Sequence, residues 1–148
     1  MTHDPSAFIE RAGLTFEAEG LPRMAGRILG RLMICDPPEQ SIADLMDALK
    51  ASNGSISTMT RYLENQGYIK RISMPGARRD YFALRSGVAT EILASASAGL
   101  IRLEALFDAA TTLADHQREA LEEARDLFAY LADEYPALIQ RWQQRRSN

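Results

Sequence analysis

The side chains best suited to chemistry in this sequence lie in one short segment, SISTMTRYLENQG at residues 55–67. Its apolar residues Ile56, Met59 and Leu63 recur at helical spacing and predict a helix with one buried face. The opposite face then presents short polar side chains and one arginine, namely Ser57, Thr58, Arg61 and Asn65. Short hydroxyl groups and a guanidinium group can contact phosphate oxygens and base edges in a DNA major groove. Because every amphipathic helix has a polar outer face, this segment alone fits a solvated helix equally well.

A second set of basic residues lies in a predicted β-hairpin that follows this helix. Residues 68–74 and 81–85 are rich in aromatic and β-branched side chains, as strands are, and a turn separates them. Arg78 and Arg79 in that turn could reach a narrow minor groove or the DNA backbone. The predicted strands carry three further basic residues, Lys70, Arg71 and Arg85. A charged turn is also an ordinary feature of soluble hairpins, so the hairpin supports DNA binding only together with the helix.

The distribution of charge along the chain supports the same interpretation. The full chain has 17 Lys and Arg residues against 20 Asp and Glu residues, a formal net charge of -3 at pH 7. Residues 51–87, however, hold six basic and two acidic residues, whereas both flanking regions are acidic. Since a local basic patch attracts phosphate whatever the total charge, the middle of the chain is the candidate nucleic-acid interface.

The elements that would position these residues are three helices ahead of the fourth. Residues 6–18 repeat apolar side chains every four residues, and a second helix follows Pro22 and ends before an Asp-Pro-Pro sequence. Ser41 with Asp44 is close to a capping box at the start of a third helix, which the Ser-Asn-Gly sequence at 52–54 should end. Two short helices joined by a tight turn and followed by a basic hairpin predict a winged helix-turn-helix.

The last part of the chain predicts two long helices. Apolar residues recur at alternating steps of three and four over residues 93–114 and again over 121–142, which is a heptad pattern. Asp115 is suited to cap the second helix, and Pro136 should kink or divide it. The two seams could pair with each other, or a second copy of the chain could cover them, since two-fold dimers are the commonest symmetric assembly. The candidate dimer residues are Phe8, Leu100, Leu103, Phe107, Leu131, Tyr135 and Leu138.

These elements predict a mainly α fold in which a winged helix-turn-helix carries a two-stranded β-hairpin wing and long helices form a dimerisation region. The corresponding segments are an N-terminal dimerisation helix at 1–20, a DNA-binding body at 21–87 and the long helical region at 88–148. We expect DNA contacts from nine residues of the turn, the fourth helix and the hairpin. They are Ser52, Asn53, Ser55, Ser57, Thr58, Arg61, Lys70, Arg78 and Arg79.

Length and composition argue against several other classes of protein. With 148 residues, 46% hydrophobic and 25% charged, the chain is long enough to fold around a core without disulfides, and Cys35 is its only cysteine. We expect a cytoplasmic protein, because no apolar run approaches a membrane span and the N-terminus lacks the features of a secretion signal. The two histidines lack companions at metal-ligand spacing, so we predict no metal or other cofactor. Without a phosphate-binding glycine loop or a Ser-His-acid arrangement, we predict no enzyme activity.

The order and spacing of four motifs are typical of one protein family. They are GLPRMAGR at 20–27 with Gly30, Leu45 with Leu49, SISTMTRYLENQGYIKR at 55–71, and Pro75-Gly76 followed by Arg78, Arg79, Asp80 and Tyr81. Over nearly its full length the chain resembles the multiple antibiotic resistance regulator (MarR) family of bacterial winged-helix transcription factors. Within that family it resembles the branch typified by the regulator of glycine betaine synthesis.

The resemblance implies a homodimer that is held together by its first and last helices. The two fourth helices would occupy adjacent major grooves of a near-palindromic duplex, with the wings on the flanks. Many relatives release DNA when a small molecule binds between the DNA-binding body and the dimer helices. The wing departs from the family pattern, because it has a Pro-Gly turn and lacks the Asp-x-Arg run that commonly braces it. We therefore transfer no wing contact to an individual base.

The sequence thus predicts a homodimeric regulator that binds double-stranded DNA, acts as a repressor by competing for a promoter site, and responds to a small-molecule effector. Some relatives sense peroxide through a cysteine in the first helix, whereas Cys35 ends a later apolar helix, which favours a structural thiol. The alternative function is a winged-helix and coiled-coil protein-interaction module. Such a module would retain at most weak electrostatic DNA binding, so preference for one DNA sequence separates the two hypotheses.

Overall fold

The structure, a computed structural model, describes residues 4–148, and the chain divides into two compact units, Met1–Val88 and Ala89–Asn148. The first three residues of the predicted segment 1–20 lie outside the described part. In chain order the elements are α1 (Pro5–Ala18), α2 (Arg23–Ile34), β1 (Gln40–Ser41), α3 (Ile42–Leu49), α4 (Asn53–Asn65), β2 (Ile69–Ser73), β3 (Asp80–Leu84), α5 (Val88–Thr111) and α6 (Arg118–Ser147). The predicted mainly α, winged helix-turn-helix fold is confirmed.

Glycines allow α1 and α2 to pack closely in the first unit. A Cβ atom at Gly30 of α2 would lie 2.6 Å from the Cβ atom of Ala12 in α1, and one at Gly26 would lie 2.9 Å from the Cβ atom of Phe16. Two carbon atoms in van der Waals contact lie about 3.5–4.0 Å apart, so a larger residue at either position would push the helices apart. Through this contact α1 packs on α2 and buries Ile9 and Ala12.

The helix-turn-helix consists of α3 and α4. A complete capping box starts α3: the Ser41 hydroxyl accepts from the Asp44 N–H at 3.1 Å, and the Asp44 carboxylate accepts from the Ser41 N–H at 2.8 Å. Lys50 ends α3 in the left-handed conformation, with φ of 51°. The two helices bury four large apolar side chains almost completely, Leu45, Leu49, Ile56 and Leu63. This burial fixes the face that α4 presents to solvent.

The predicted hairpin is present, and a third strand joins it. β2 and β3 pair antiparallel from Ile69 opposite Leu84 to Ser73 opposite Asp80. The short β1 pairs with the other edge of β3, so the sheet order is β1-β3-β2. A strand of two residues is too short to show an alternating pattern, so the sequence does not predict it. Phe82 of β3 is 2% exposed and anchors the sheet to the helices.

Two predicted boundaries were wrong, and one predicted division of a helix is absent. α3 ends at Leu49, ahead of the Ser-Asn-Gly sequence that was predicted to end it, and that sequence starts α4 instead, because Ser52 caps the helix and the helix begins at Asn53. Asp115 caps no helix: α6 begins at Arg118, and its N-cap Gln117 makes no side-chain hydrogen bond to the helix. Of the two effects predicted for Pro136, a kink or a division of the helix, the division is absent: α6 continues from Arg118 to Ser147, because a proline removes one backbone hydrogen bond and the other bonds of this 30-residue helix remain. The kink stays a prediction.

The second unit contains most of α5 and all of α6. The two helices contact each other where the Phe107 and Phe128 rings lie 5.4 Å apart, and where Arg125 pairs with Asp108 at 3.3 Å. Between Ala89 and Asn148 few residues are buried, only Ser97, Thr111 and Ala132, while several large apolar side chains are exposed. Within residues 4–148 no helix combines the length and apolarity needed to cross a membrane.

We predict that Gly30→Ala lowers the free energy of unfolding by about 1–3 kcal/mol, because the added methyl group must displace Ala12. The loss should outweigh the higher helix propensity of alanine. Urea unfolding followed by circular dichroism measures the change. Gly54→Ala is the control, since a Cβ atom there would meet nothing within 4 Å, and it should leave the stability equal or higher. A Gly30→Ala protein as stable as the wild type would contradict the close α1–α2 contact.

Candidate nucleic-acid interface

The outer face of α4 carries the polar side chains that its periodicity predicts. Ile56 and Leu63 are fully buried, whereas Thr58 and Arg61 are exposed. Thr60 is buried and its hydroxyl donates to the backbone carbonyl of Ser57 at 3.1 Å, so Thr60 belongs to the inner face and its hydroxyl is satisfied. Arg61 therefore extends into solvent from a helix whose rotation is fixed by two buried side chains.

The start of α4 is organised by its own side chains. The Ser52 hydroxyl accepts from the Ser55 N–H at 3.2 Å, and the Ser57 hydroxyl donates to Asn53 Oδ1 at 3.1 Å. Ser52 is thus a helix cap. Within residues 4–148 its hydroxyl proton and the Asn53 amide N–H groups have no acceptor, and they lie beside the first backbone N–H groups of the helix, which make a helix N-terminus attractive to phosphate.

A cleft of about 500 Å³ brings α4 and the wing together. Asn53, Ser57 and Arg61 of α4 line it together with Arg79 of the wing. The remaining lining comes mainly from the start of α3 and from the sheet. The other predicted DNA-contacting residues, Ser52, Ser55, Thr58, Lys70 and Arg78, do not line this cleft. All of these except the half-buried Ser55 are exposed.

The charges around the cleft are unevenly compensated. Glu64 and Asp80 are the two acidic residues of the region 51–87, and both bind Arg71, each at 2.9 Å. Arg71, which the sequence groups with the other basic residues of the hairpin, therefore has its charge compensated within the protein. Within residues 4–148 no carboxylate forms an ion pair with the other basic residues of this region, Arg61, Lys70, Arg78, Arg79 and Arg85.

Arg79 also acts on the start of α3. The pKa of Asp44 lies below its ordinary value of 3.8, chiefly because the carboxylate accepts from the backbone N–H of Ser41. The positive charges of Arg79 and Arg31 lower the pKa of Asp44 further. The positive charge of Arg79 in the wing therefore helps to keep the capping carboxylate at the start of α3 ionised.

The predicted dimer residues differ in exposure. In the second unit Leu103 is 40% and Leu138 is 51% exposed, whereas Leu100, Phe107, Leu131 and Tyr135 are half-buried. Tyr135 and Leu138 line an apolar groove of about 320 Å³ together with Leu93 of α5. Phe8 of α1 in the first unit is half-buried, with the Arg11 guanidinium 5.5 Å from its ring centre.

Comparison with known proteins identifies the family. A family model of MmpR5-like MarR family transcriptional regulators matches residues 81–145. The HTH-type transcriptional regulator MmpR5 of Mycobacterium tuberculosis is 39% identical over an alignment of 150 positions, and the alignment covers 96% of this chain and 88% of that protein. The chain belongs to the MarR family of transcriptional regulators. This MarR-family regulator is also similar to a crystal structure of a transcriptional regulator, with a TM-score of 0.80 and 38% identity over 96% of this chain and 99% of that one.

The sequence pattern of this MarR-family regulator does not predict the ion pairs of Arg71. Arg71 stands opposite Phe82 in the β2–β3 ladder, and Asp80 starts the same strand as Phe82. A correct hairpin register could have placed Arg71 and Asp80 on neighbouring strands. It could not have shown that Glu64 approaches from α4, because that contact depends on how the sheet packs against the helix.

We predict that Asp44→Asn lowers the free energy of unfolding by about 0.5–2 kcal/mol at pH 7, because it weakens the capping box. The pKa of Asp44 is lower in the folded state than in the unfolded state, so the ionised carboxylate stabilises the fold at every pH above the unfolded-state pKa. This stabilisation is lost as the pH falls through the folded-state pKa. The difference in free energy of unfolding between wild type and variant should therefore shrink below about pH 4. Urea unfolding between pH 3 and pH 7 measures it.

Asp47→Asn is the control for this prediction. The Asp47 side chain is 88% exposed and, among residues 4–148, forms an ion pair only with Lys50, so the variant should stay within about 0.5 kcal/mol of the wild type. A stability difference between Asp44→Asn and wild type that is constant over the whole pH range would contradict the role of the ionised Asp44.

Proposed function

We propose that this MarR-family regulator is a homodimeric repressor that binds a near-palindromic operator in double-stranded DNA. α4 enters the major groove, and the wing arginines contact the DNA backbone or the minor groove. The observation that carries the proposal is the cleft, in which Arg61 and Arg79 lie together without a carboxylate partner in the described residues. Within the family, the resemblance to the branch of the glycine betaine synthesis regulator stays a prediction.

The proposed dimer is supported by the apolar surface of the second unit. α5 and α6 leave Ile101, Leu106, Leu127 and Tyr130 between 54% and 64% exposed. Isolated apolar side chains on a surface are ordinary, but several large ones on two helices that contact each other favour an interaction site. A second copy of the chain covers such side chains by two-fold symmetry and places two α4 helices on one duplex.

We further propose that the effector is an apolar or amphipathic small molecule. The groove next to Leu93 and Tyr135 is lined almost entirely by aliphatic and aromatic groups, which suits such a ligand. The thiol of Cys35 is a poor candidate for a peroxide sensor, because burial raises its pKa and its Sγ atom lies 3.5 Å from the Pro38 carbonyl oxygen. A thiol with a raised pKa carries little of the reactive thiolate at neutral pH.

We predict that Arg61→Ala weakens binding to the operator by about 1–3 kcal/mol and weakens binding to random DNA much less. Arg61 is held by a rigid helix and reads a base or a fixed phosphate. Arg78→Ala and Arg79→Ala should weaken both kinds of DNA comparably and reduce the salt slope by about 1 per bound wing. The operator is obtained by selecting bound fragments from the host genome, and fluorescence anisotropy at several salt concentrations measures affinity.

Two results would contradict these assignments. In the first, Arg61→Ala lowers the affinities for operator and random DNA equally, and only a wing variant reduces the preference for the operator. The wing would then read the sequence, and Arg61 would only position the protein on DNA. If the wild type bound its selected fragment no more tightly than random DNA of the same length, the protein would be the interaction module considered above. Both outcomes are visible in the same titrations.

We predict that light scattering gives twice the 16.5 kDa chain mass at micromolar concentration. Leu103→Glu or Leu131→Glu should shift the protein toward the monomer and weaken operator binding, because a single DNA-binding unit loses the effective concentration that its linked partner supplies. Leu103→Met is the control, since it keeps an apolar side chain of similar volume. A monomeric wild type, or glutamate variants with unchanged mass and operator affinity, would exclude the proposed dimer surface.

A further inference from the structure

Arg71 joins two structural elements of the first unit. Its Nη2 atom lies 2.9 Å from Glu64 Oε1 near the end of α4, and its Nη1 atom lies 2.9 Å from Asp80 Oδ2 at the start of β3. Its Nε atom also donates to Glu64 Oε2 at 3.3 Å, so the guanidinium binds Glu64 through two parallel hydrogen bonds. Such paired contacts define the orientation of both groups, which a single point charge does not.

Two further contacts hold this guanidinium in place. Its central carbon lies 5.3 Å from the centre of the buried Phe82 ring, which stands opposite Arg71 in the β2–β3 ladder. The Ser73 hydroxyl donates to Asp80 Oδ1 at 3.3 Å and so fixes the second carboxylate from the side of β2. The Arg71 side chain is therefore oriented by α4, by β3 and by an aromatic ring of the sheet.

We infer that Arg71 is a positioning residue, which holds the wing against the end of α4 and does not itself bind DNA phosphate. The ionic trio of Arg71, Glu64 and Asp80 has a net charge of -1 and would not attract an anion. Its position matters because Arg71 and Asp80 line the same cleft as Arg61 and Arg79. The spacing between the wing arginine and the helix arginine depends on how firmly the hairpin is attached to α4. The inference rests on the DNA binding proposed above.

A charge-matched double variant tests this role. Replacing Arg71 alone would leave two unpaired carboxylates near the DNA and weaken binding for purely electrostatic reasons. Arg71→Gln combined with Glu64→Gln removes the connection to α4 but leaves the local charge at -1.

The double variant keeps the wing arginines and changes only their placement, unlike Arg78→Ala and Arg79→Ala, which remove a charge. On the operator the docked α4 fixes which phosphate the wing must reach, so we expect a 5- to 10-fold loss of affinity. On random DNA a loosened wing still finds a phosphate, so we expect less than a 2-fold change. Equal losses on both DNAs, or an unchanged operator affinity, would overturn the inference.

The single variant Glu64→Gln gives a second test, because the two roles of Arg71 predict opposite changes in affinity for the operator. If Arg71 contacted phosphate, removal of a negative charge beside it would tighten binding to operator and random DNA alike. If Arg71 positions the wing, operator binding weakens although the protein has become less acidic. Tighter operator binding by Glu64→Gln would therefore refute the positioning role. The melting temperatures of both variants should stay close to the wild-type value, since the trio is partly solvent-exposed.

A measurement without DNA separates this inference from the proposed function. Hydrogen exchange of the free protein should show faster exchange of the β2–β3 ladder amides in the double variant, with unchanged exchange in α2. Unchanged protection of the hairpin would count against the inference even if the protein binds its operator. The control is Arg125→Gln with Asp126→Asn, because Arg125 also binds two carboxylates, Asp108 and Asp126, in the other unit. It should leave hairpin exchange and DNA affinity unchanged.

Discussion

The burial of one face of α4 is the constraint on which the rest of the interface depends. α4 packs against α2 and α3, and Ile56 and Leu63 are removed completely from water. Burying a large aliphatic side chain contributes about 1.5–3 kcal/mol, so rotating the helix to hide a different face would cost several kcal/mol. The outward direction of Arg61 is therefore a consequence of the core. A regulator that reads DNA with a helix needs this property, because a freely rotating helix would present no defined pattern of donors.

Electrostatics then separates two kinds of arginine within the same small region. Arg61 and Arg79 lie in the cleft without a carboxylate partner in the described residues, whereas Arg71 uses its donors on Glu64 and Asp80. Composition counts all three as positive charge, but only two of them lack a carboxylate partner within residues 4–148. The ionic trio connects the wing to α4 through residues other than the Asp-x-Arg run, which this sequence lacks. The local excess of basic residues thus locates a candidate interface, but it does not show which arginines are compensated.

The two compact units differ in how much apolar surface they bury. The first unit closes its core with close helix contacts, as at Gly30, and with a three-stranded sheet anchored by Phe82. The second unit consists of two long helices that bury few residues and leave several large apolar side chains in contact with water. A domain with a complete core is stable as a single chain, whereas helices with such exposed side chains gain stability from association. This contrast agrees with the proposed roles, in which the first unit binds DNA and the second forms the dimer.

Most of the helices and strands were predictable from the sequence, because local periodicity and capping depend on neighbours within a few residues. The apolar spacing in α4, the Ser41 and Asp44 capping box, the hairpin and the two long helices were all predictable in this way. The family membership also followed from the order of short motifs. The folded structure was needed to find the short strand β1, the continuation of α6 through Pro136 and the partners of Arg71. Each of these depends on groups that are distant in sequence or on the summed energy of a whole element, and neither quantity appears in a local pattern.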